Sequence, residues 1–244
     1  RFLAGGTDLL VNKFQGNETS DCLIDISEID ELKSVSTDGL FIKIGSLVRL
    51  DDLKNHPGIR DGFPALVEAA HSVASPVLRR SATLGGNLLC ENRCMFYNQT
   101  EWWREAVGYC LKCDLPAGKA GGNICIATGG KKNCFSKFVS DTAPVLIAHN
   151  ALLDIADQGG IQTIPLEKIY SGDGLRPRNL SKTAIIKSIK IPINGMRFCV
   201  FRKLRPREAV DFTSLTMAVS LGNNEEIKIN IKERRKAIRS ALSS

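Results

Sequence analysis

Apolar positions along the chain fall into two rhythms. Short runs at residues 23–26 and 40–44 have strand character, and residues 9–14, just after an opening strand end at 1–4, have helical character. Strand alternating with helix is the mark of an α/β fold. Farther on, Phe63, Leu66, Val67, Ala70 and Ala74 recur at helix spacing and predict a helix that stops before Pro76. Residues 142–149 predict another. Strands are predicted at 152–156, 161–164, 185–191, 198–203, 215–221 and 227–231, with a basic helix closing the chain. Residues 170–180, rich in Gly, Pro, Arg and Asn, predict a loop and a domain boundary. Two Gly-Gly turns, Gly5-Gly6 and Gly85-Gly86, are the only self-similarity.

Composition removes several classes. At 244 residues, 43% apolar and 24% charged, the chain can bury a substantial core, which excludes disorder, collagen and coiled coil. The richest apolar stretch, residues 143–155, is broken by His149, Asn150 and Asp154, so no run reaches the roughly 18 residues of a membrane span. The net charge of +7 favours acidic partners, but basic residues are scattered until residues 232–239. That run reads as a solvated helix face rather than a nucleic-acid surface. The chain opens on Arg1-Phe2-Leu3-Ala4 with neither Met nor a signal-peptide pattern, so it is expected to start inside a domain and to belong to a cytoplasmic protein.

Candidate chemistry lies in the glycine turns and the cysteines. A Gly-Gly pair followed by Thr or Asn can turn successive backbone N–H groups into a concave anion nest. Residues 4–9 and 82–87 could grip one pyrophosphate from two sides, with Thr7, Thr83 and Asn87 adding side-chain hydrogen bonds; each could equally be a plain tight turn. Neither is the G-x-G-x-x-G of a nicotinamide site. Of eight cysteines, Cys90, Cys94, Cys110, Cys113, Cys125 and Cys134 crowd one segment, which favours metal or redox chemistry over disulfides. Four thiolates suit Zn(Cys)₄ or a [4Fe–4S] cluster, and Cys90/Cys94 with Cys110/Cys113 could be zinc knuckles. His56, His71 and His149 form no catalytic motif, and Asp51-Asp52 and Glu225-Glu226 read as solvated acids.

Leu3-Ala4-Gly5-Gly6-Thr7-Asp8-Leu9 and Ala82-Thr83-Leu84-Gly85-Gly86-Asn87 together resemble the two FAD pyrophosphate loops of the flavoprotein subunit in the xanthine oxidase family. Ala74-Ser75-Pro76 and Arg79 match the stretch before the second loop. Ser140-Asp141-Thr142-Ala143-Pro144 is similar to the segment whose Asp lies at the flavin side of the pocket. Lys203 and Ile186 fall near positions that contact the isoalloxazine. The resemblance implies a two-lobed FAD-binding domain at residues 1–175, with lobes of about 1–50 and 51–175. A smaller α+β C-terminal domain at 176–244 follows. Because that family carries a strand–helix segment before the first loop and a longer C-terminal domain, the chain is expected to be incomplete at both ends.

Asn87 and Asp141 stand far apart for that family, and the interval holds the cysteines. Residues 93–99, 101–104 and 109–112, with Trp102-Trp103 and Tyr109-Cys110, resemble the inserted loop of the 4-hydroxybenzoyl-CoA reductase β subunits. The resemblance implies an insert at about 90–138 holding a [4Fe–4S] cluster on Cys94, Cys110, Cys125 and Cys134, with Cys113 the competitor for the third place. Cys22, Cys90 and Cys199 are then expected to be buried thiols. Lys112, Lys119, Lys131 and Lys132 would offset the cluster's charge and dock an acidic ferredoxin, or simply keep the loop soluble. Trp102 and Trp103 would pack the insert against its host. Implied partners are a molybdopterin large subunit and a small subunit with [2Fe–2S] clusters. Ferredoxin would supply electrons for reductive dehydroxylation of an aromatic CoA thioester in the large subunit. Two alternatives stay open: the FAD subunit of another hydroxylase or dehydrogenase of the family, and a non-redox module stapled by zinc.

Overall fold

A computed structural model describes residues 1–113, 122–194, 196–207, 210–222 and 227–233. The chain opens with β1 (Phe2–Leu3), crosses through α1 (Leu9–Phe14) and returns as β2 (Ile24–Asp25), parallel to β1. Ile26, Leu32 and Leu47 close a small apolar cluster beneath this unit.

Next come β3 (Val35–Thr37), β4 (Phe41–Gly45), β5 (Leu152–Asp157), β6 (Gly160–Pro165) and β7 (Ile185–Pro192), which form one sheet in the order β3-β4-β7-β5-β6 with every pair antiparallel. Ile42 and Ile44 on β4 stand opposite Ile191 and Ile189 on β7, and all four are buried on one face, as a half-buried sheet requires. β7 lies beyond the boundary expected at residue 176, yet it occupies the centre of this sheet.

The helix predicted at 63–74 is present, and prolines set the helix starts in this region. Pro57, Pro64 and Pro76 each take the first helical position, where no N–H is needed, and start α2 (Pro57–Gly62), α3 (Pro64–His71) and α4 (Pro76–Arg79). α3 ends early, and Ala74 beyond it turns left-handed at φ +43°. α5 (Leu84–Leu88) and α6 (Glu101–Ala106) are short; α7 (Thr142–Ala148) is buried along its whole length.

That burial defines the architecture. α7 packs on one side against α3 and α5, and on the other against β9 (Leu215–Gly222), the middle strand of a second antiparallel sheet with β8 (Met196–Leu204) and β10 (Ile227–Glu233). The Ser220 hydroxyl donates to the Ala148 carbonyl (2.9 Å), tying this sheet to the end of α7. One apolar core runs from Ile44 and Ile189 through Leu66 and Leu146 to Phe201 and Ala218. The basic helix expected after residue 231 falls largely outside the described residues, as do Glu225-Glu226 and Lys119; β10 continues to Glu233. No helix among the described residues is long and apolar enough to cross a membrane.

His149 follows α7 with its ring edge-on to Phe63 at 5.1 Å, only 4% exposed and with neither ring nitrogen hydrogen-bonded. Burial pushes it down to about 4 from an ordinary value near 6.5. Below about pH 6.5 the unfolded chain takes up a proton that the folded chain refuses. Stability therefore falls as the pH drops from about 6.5 towards 4, by on the order of 3 kcal/mol. Urea unfolding across this range should show that slope, and His149→Leu should flatten it.

Candidate functional site

Gly5 brings the two glycine turns together. A methyl at Gly5 would lie 1.8 Å from the Ser81 carbonyl oxygen, so the main chain of the first turn rests directly on that of the second. Gly6 turns at φ +71°, a conformation glycine adopts without penalty. In the second turn the Thr83 hydroxyl accepts from the Gly86 N–H (3.1 Å) and caps α5, and the Gly85 N–H donates to the Ser46 carbonyl (2.8 Å). A methyl on Gly85 would stand 2.7 Å from Ser46 Cβ.

Between the turns opens a cleft of about 880 Å³. Ala4, Gly5, Gly6, Thr7, Asp8 and Leu9 line it from the first turn; Ala82, Thr83, Gly85, Gly86 and Asn87 line it from the second; Asp141, Ile186 and Lys203 complete it. Leu3 and Ser75 do not line it. Leu3 lies in β1 beneath the first turn, and Ser75 caps α4 by accepting from the Leu78 N–H (3.4 Å). The N–H groups of Gly85 and Gly86 are engaged with Ser46 and Thr83, so the glycine main chain that faces the cleft as an anion nest is that of the first turn.

The cleft is wired into the core at its inner end. Asn87 Oδ1 accepts from the hydroxyls of Ser140 (2.9 Å) and Thr142 (2.7 Å), fixing the second turn to the start of α7. Asp141, 4% exposed at its side chain, pairs with Lys203 Nζ at 2.6 Å; Lys203, 5% exposed, also donates to the Ser72 carbonyl (2.9 Å). Burial pushes the Asp141 carboxyl up, against the pull of the adjacent ammonium. The pair joins α7 to β8 across the junction of the two halves.

At the outer end the insert closes on itself, Arg93 and Lys137 exchanging two backbone hydrogen bonds (2.9 and 2.8 Å). Its anchors are arginines that sequence reasoning passed over. Arg93 pairs with Asp8 and donates to Asn12 (2.8 Å) while lying over the Phe212 ring. Arg104, 3% exposed, pairs with Glu101 (2.6 Å) and donates to Asn17. Trp102, expected to pack the insert on its host, is instead 75% exposed, and Trp103 meets Phe96 inside the insert.

Cys94, Cys110, Cys125 and Cys134 all line one small apolar cavity in the insert, together with Phe96, Tyr97 and Lys112. Cys113 is not in that wall; its Sγ lies 3.4 Å from Cys110 Sγ. Burial raises the Cys125 thiol, but hydrogen bonds from Thr128 and from the backbone N–H groups of Phe135, Ala127 and Thr128 outweigh it and hold the group low. The loop after residue 170 fixes Cys134. Asp173 accepts from the Cys134 N–H (2.9 Å), and Gly174, where a methyl would stand 2.8 Å from Cys134 Sγ, donates to the Cys134 carbonyl. Among the described residues no three His, Cys, Asp or Glu side chains converge as a single metal ion requires. Burial pushes Cys90 up to about 12 and Cys199 up to about 11. Cys22, expected to be buried, is exposed, since it lies in the turn before β2. Lys131 and Lys132 are exposed, whereas Lys112 points inward.

Residues 1–194 match the FAD binding domain in molybdopterin dehydrogenase. The chain belongs to that family, the flavoprotein type of the xanthine oxidase group, and FAD is the cofactor its members bind. It is 29% identical over 238 residues to the aldehyde oxidoreductase FAD-binding subunit of Escherichia coli K12, covering 89% of this chain and 69% of that one. Over 86 residues, 35% of this chain and 29% of the relative, it is 41% identical to the nicotinate dehydrogenase FAD-subunit of Eubacterium barkeri. Its fold matches a chain of carbon monoxide dehydrogenase from Hydrogenophaga pseudoflava (TM-score 0.66, 20% identity, 99% of this chain and 71% of that one). It also matches quinoline 2-oxidoreductase from Pseudomonas putida 86 (TM-score 0.67, 18% identity, 96% and 67%).

Substitutions at Gly5 and Lys203 probe this geometry. Gly5→Ala should destabilise by about 1–3 kcal/mol or more, because backbone must move to admit the methyl. Gly62→Ala, whose methyl meets nothing within 4 Å, should leave the melting temperature nearly unchanged. Lys203→Met strands the buried Asp141 carboxylate and should cost about 3–5 kcal/mol in urea unfolding at pH 7, part of it restored by adding Asp141→Asn.

Proposed function

From membership of that family we propose that this chain is an electron-relay subunit. It holds FAD between its two glycine turns and a [4Fe–4S] cluster on Cys94, Cys110, Cys125 and Cys134. The observation that carries the second cofactor is the convergence of these four cysteines, drawn from both arms of the insert, on one cavity. The donor set fits: a cubane spreads four thiolates around a core wider than a single ion, whereas structural zinc gathers four ligands about one point. Cys113, outside the cavity wall, is left as a neighbour of Cys110 rather than a ligand.

FAD, when bound, supplies exchange between two-electron and one-electron chemistry. The chain's own residues do the rest. The turn around Gly5 and Gly6 offers bare main chain to the pyrophosphate, and Thr7 and Thr83 add hydroxyls beside it. Ile186 gives the isoalloxazine an apolar wall, and the Asp141–Lys203 pair closes the inner end of the cleft. Asp173 and Gly174 keep Cys134 turned into its cavity, and the N–H groups around Cys125 solvate that sulfur.

Partners follow from the same reading: a molybdopterin large subunit where substrate reacts and a small subunit with [2Fe–2S] clusters. Reduced ferredoxin is the proposed donor, with 4-hydroxybenzoyl-CoA or a related aromatic thioester as the large subunit's substrate. The resemblance of residues 93–112 to the 4-hydroxybenzoyl-CoA reductase insert supports that choice. The second reading, a subunit of another dehydrogenase of the family, is favoured by the likeness to the aldehyde oxidoreductase and nicotinate dehydrogenase subunits.

Anaerobic purification followed by assay of flavin, iron and acid-labile sulfide tests the relay. About one FAD with about four iron and four sulfide per chain is expected. Serine at position 94, 110, 125 or 134 should abolish cluster iron while FAD is retained, and Cys113→Ser should keep both. FAD without iron would remove the cluster, and zinc without flavin would leave only the stapled module.

A further inference from the structure

Two side chains belong to both cavities. Tyr97 and Lys112 line the small cysteine cavity and also the large cleft, so they form the partition between the two. Lys112 is 8% exposed at its side chain, lies 4.9 Å from the centre of the Tyr97 ring, and pairs with Glu91 at 3.2 Å. Glu91 lines the cleft, and its own N–H donates to Asp8 in the first glycine turn (3.0 Å). Lys112 therefore cannot serve the docking surface its sequence position suggested, because it faces inward.

We propose that the Lys112–Glu91 pair is a potential-setting element for the cysteine site, with the ammonium raising the reduction potential and the carboxylate lowering it. The inference rests on the two-cofactor reading above. On reduction the cluster takes one electron from an external low-potential donor, no proton moves, and the site becomes one charge more negative. A fixed positive charge in the cavity wall stabilises that reduced form, and a fixed negative charge opposes it. Burial keeps water from screening the ammonium, whose side chain is 8% exposed against 30% for Glu91, and the Tyr97 face holds it in place by cation–π attraction. Because the two charges partly cancel, removing either one uncovers the other, and the two removals act in opposite directions.

The test is a dithionite titration of the purified holoprotein followed by electron paramagnetic resonance, after iron and sulfide have been counted in each preparation. Lys112→Met should shift the cluster potential down, Glu91→Gln should shift it up, and Lys112→Arg should return it close to the starting value. Lys131→Met, at an exposed lysine of the same insert, should shift it far less than Lys112→Met. A merely structural role would move Lys112→Met and Glu91→Gln in the same direction, by loosening the partition. That result, or no shift in either with the cluster intact, overturns the proposal. A parent protein with FAD but no iron would overturn the cluster reading itself, and this inference with it.

Discussion

Gly5 and Ser81 meet main chain to main chain, and the site exists because they can. The first turn hangs from a small parallel unit, β1 and β2, that shares few contacts with the main sheet. Only by pressing its glycine backbone onto the second turn does it become one wall of a cleft. A contact of this kind is steric before it is energetic. Any side chain at Gly5 would hold the two walls of the cleft apart. The second turn is held from beneath in the same way, Gly85 lying against Ser46 at the end of β4. The geometry of the cleft thus passes from the five-stranded sheet through two successive close approaches to its rim.

The inner end obeys a different constraint. α7 is wholly buried, so its first turn must satisfy polar groups without water. Ser140, Asp141 and Thr142 do so in three directions, Ser140 and Thr142 to Asn87 and Asp141 to Lys203 and Thr216. The first-turn N–H groups are met by Ser140 and Asn87, which leaves the Asp141 carboxylate to pair with Lys203 and give the cleft a charged but internally compensated floor. Replacing such a pair by apolar residues is often neutral for stability. Its presence is therefore better explained by what it sets in place, the junction of the second sheet with the end of the cleft, than by the energy it adds.

Much of this was legible in the residues. The strands after residue 150 announce themselves by alternating Ile, Leu and Val, and the paired Gly-Gly turns marked both walls of the cleft. What escaped was information carried by contacts distant in sequence. The short helix α2 just before Pro64 and the early end of α3 at His71 escaped, because periodicity is blind to where a helix begins and stops. β3 is three residues long, too short for any period to show. Arg93 and Arg104 look like ordinary basic residues until their partners, Asp8 and Asn17, are seen across the fold. The aromatic pair at 102–103 drew attention as an anchor because large apolar residues are usually buried. Anchoring instead falls to guanidinium groups, whose planar donors can satisfy several acceptors at once.

This division of labour bears on how the cysteine segment is attached. Docking through an apolar face would need a matching apolar patch on the rest of the fold. Arg93 and Arg104 ask only for a carboxylate and amide oxygens, supplied by Asp8 before α1, Asn12 within it and Asn17 after it. Asp8 accepts from Arg93, from Asn12 and from the Glu91 N–H. The same residue therefore serves the rim of the cleft and the root of the cysteine segment. Glu91, held by that carboxylate and paired in turn with Lys112, carries the connection from the glycine turn to the wall of the cysteine cavity. Paired charges thus join the glycine turn to the wall of the cysteine cavity, beside the Tyr97 ring that lines both cavities.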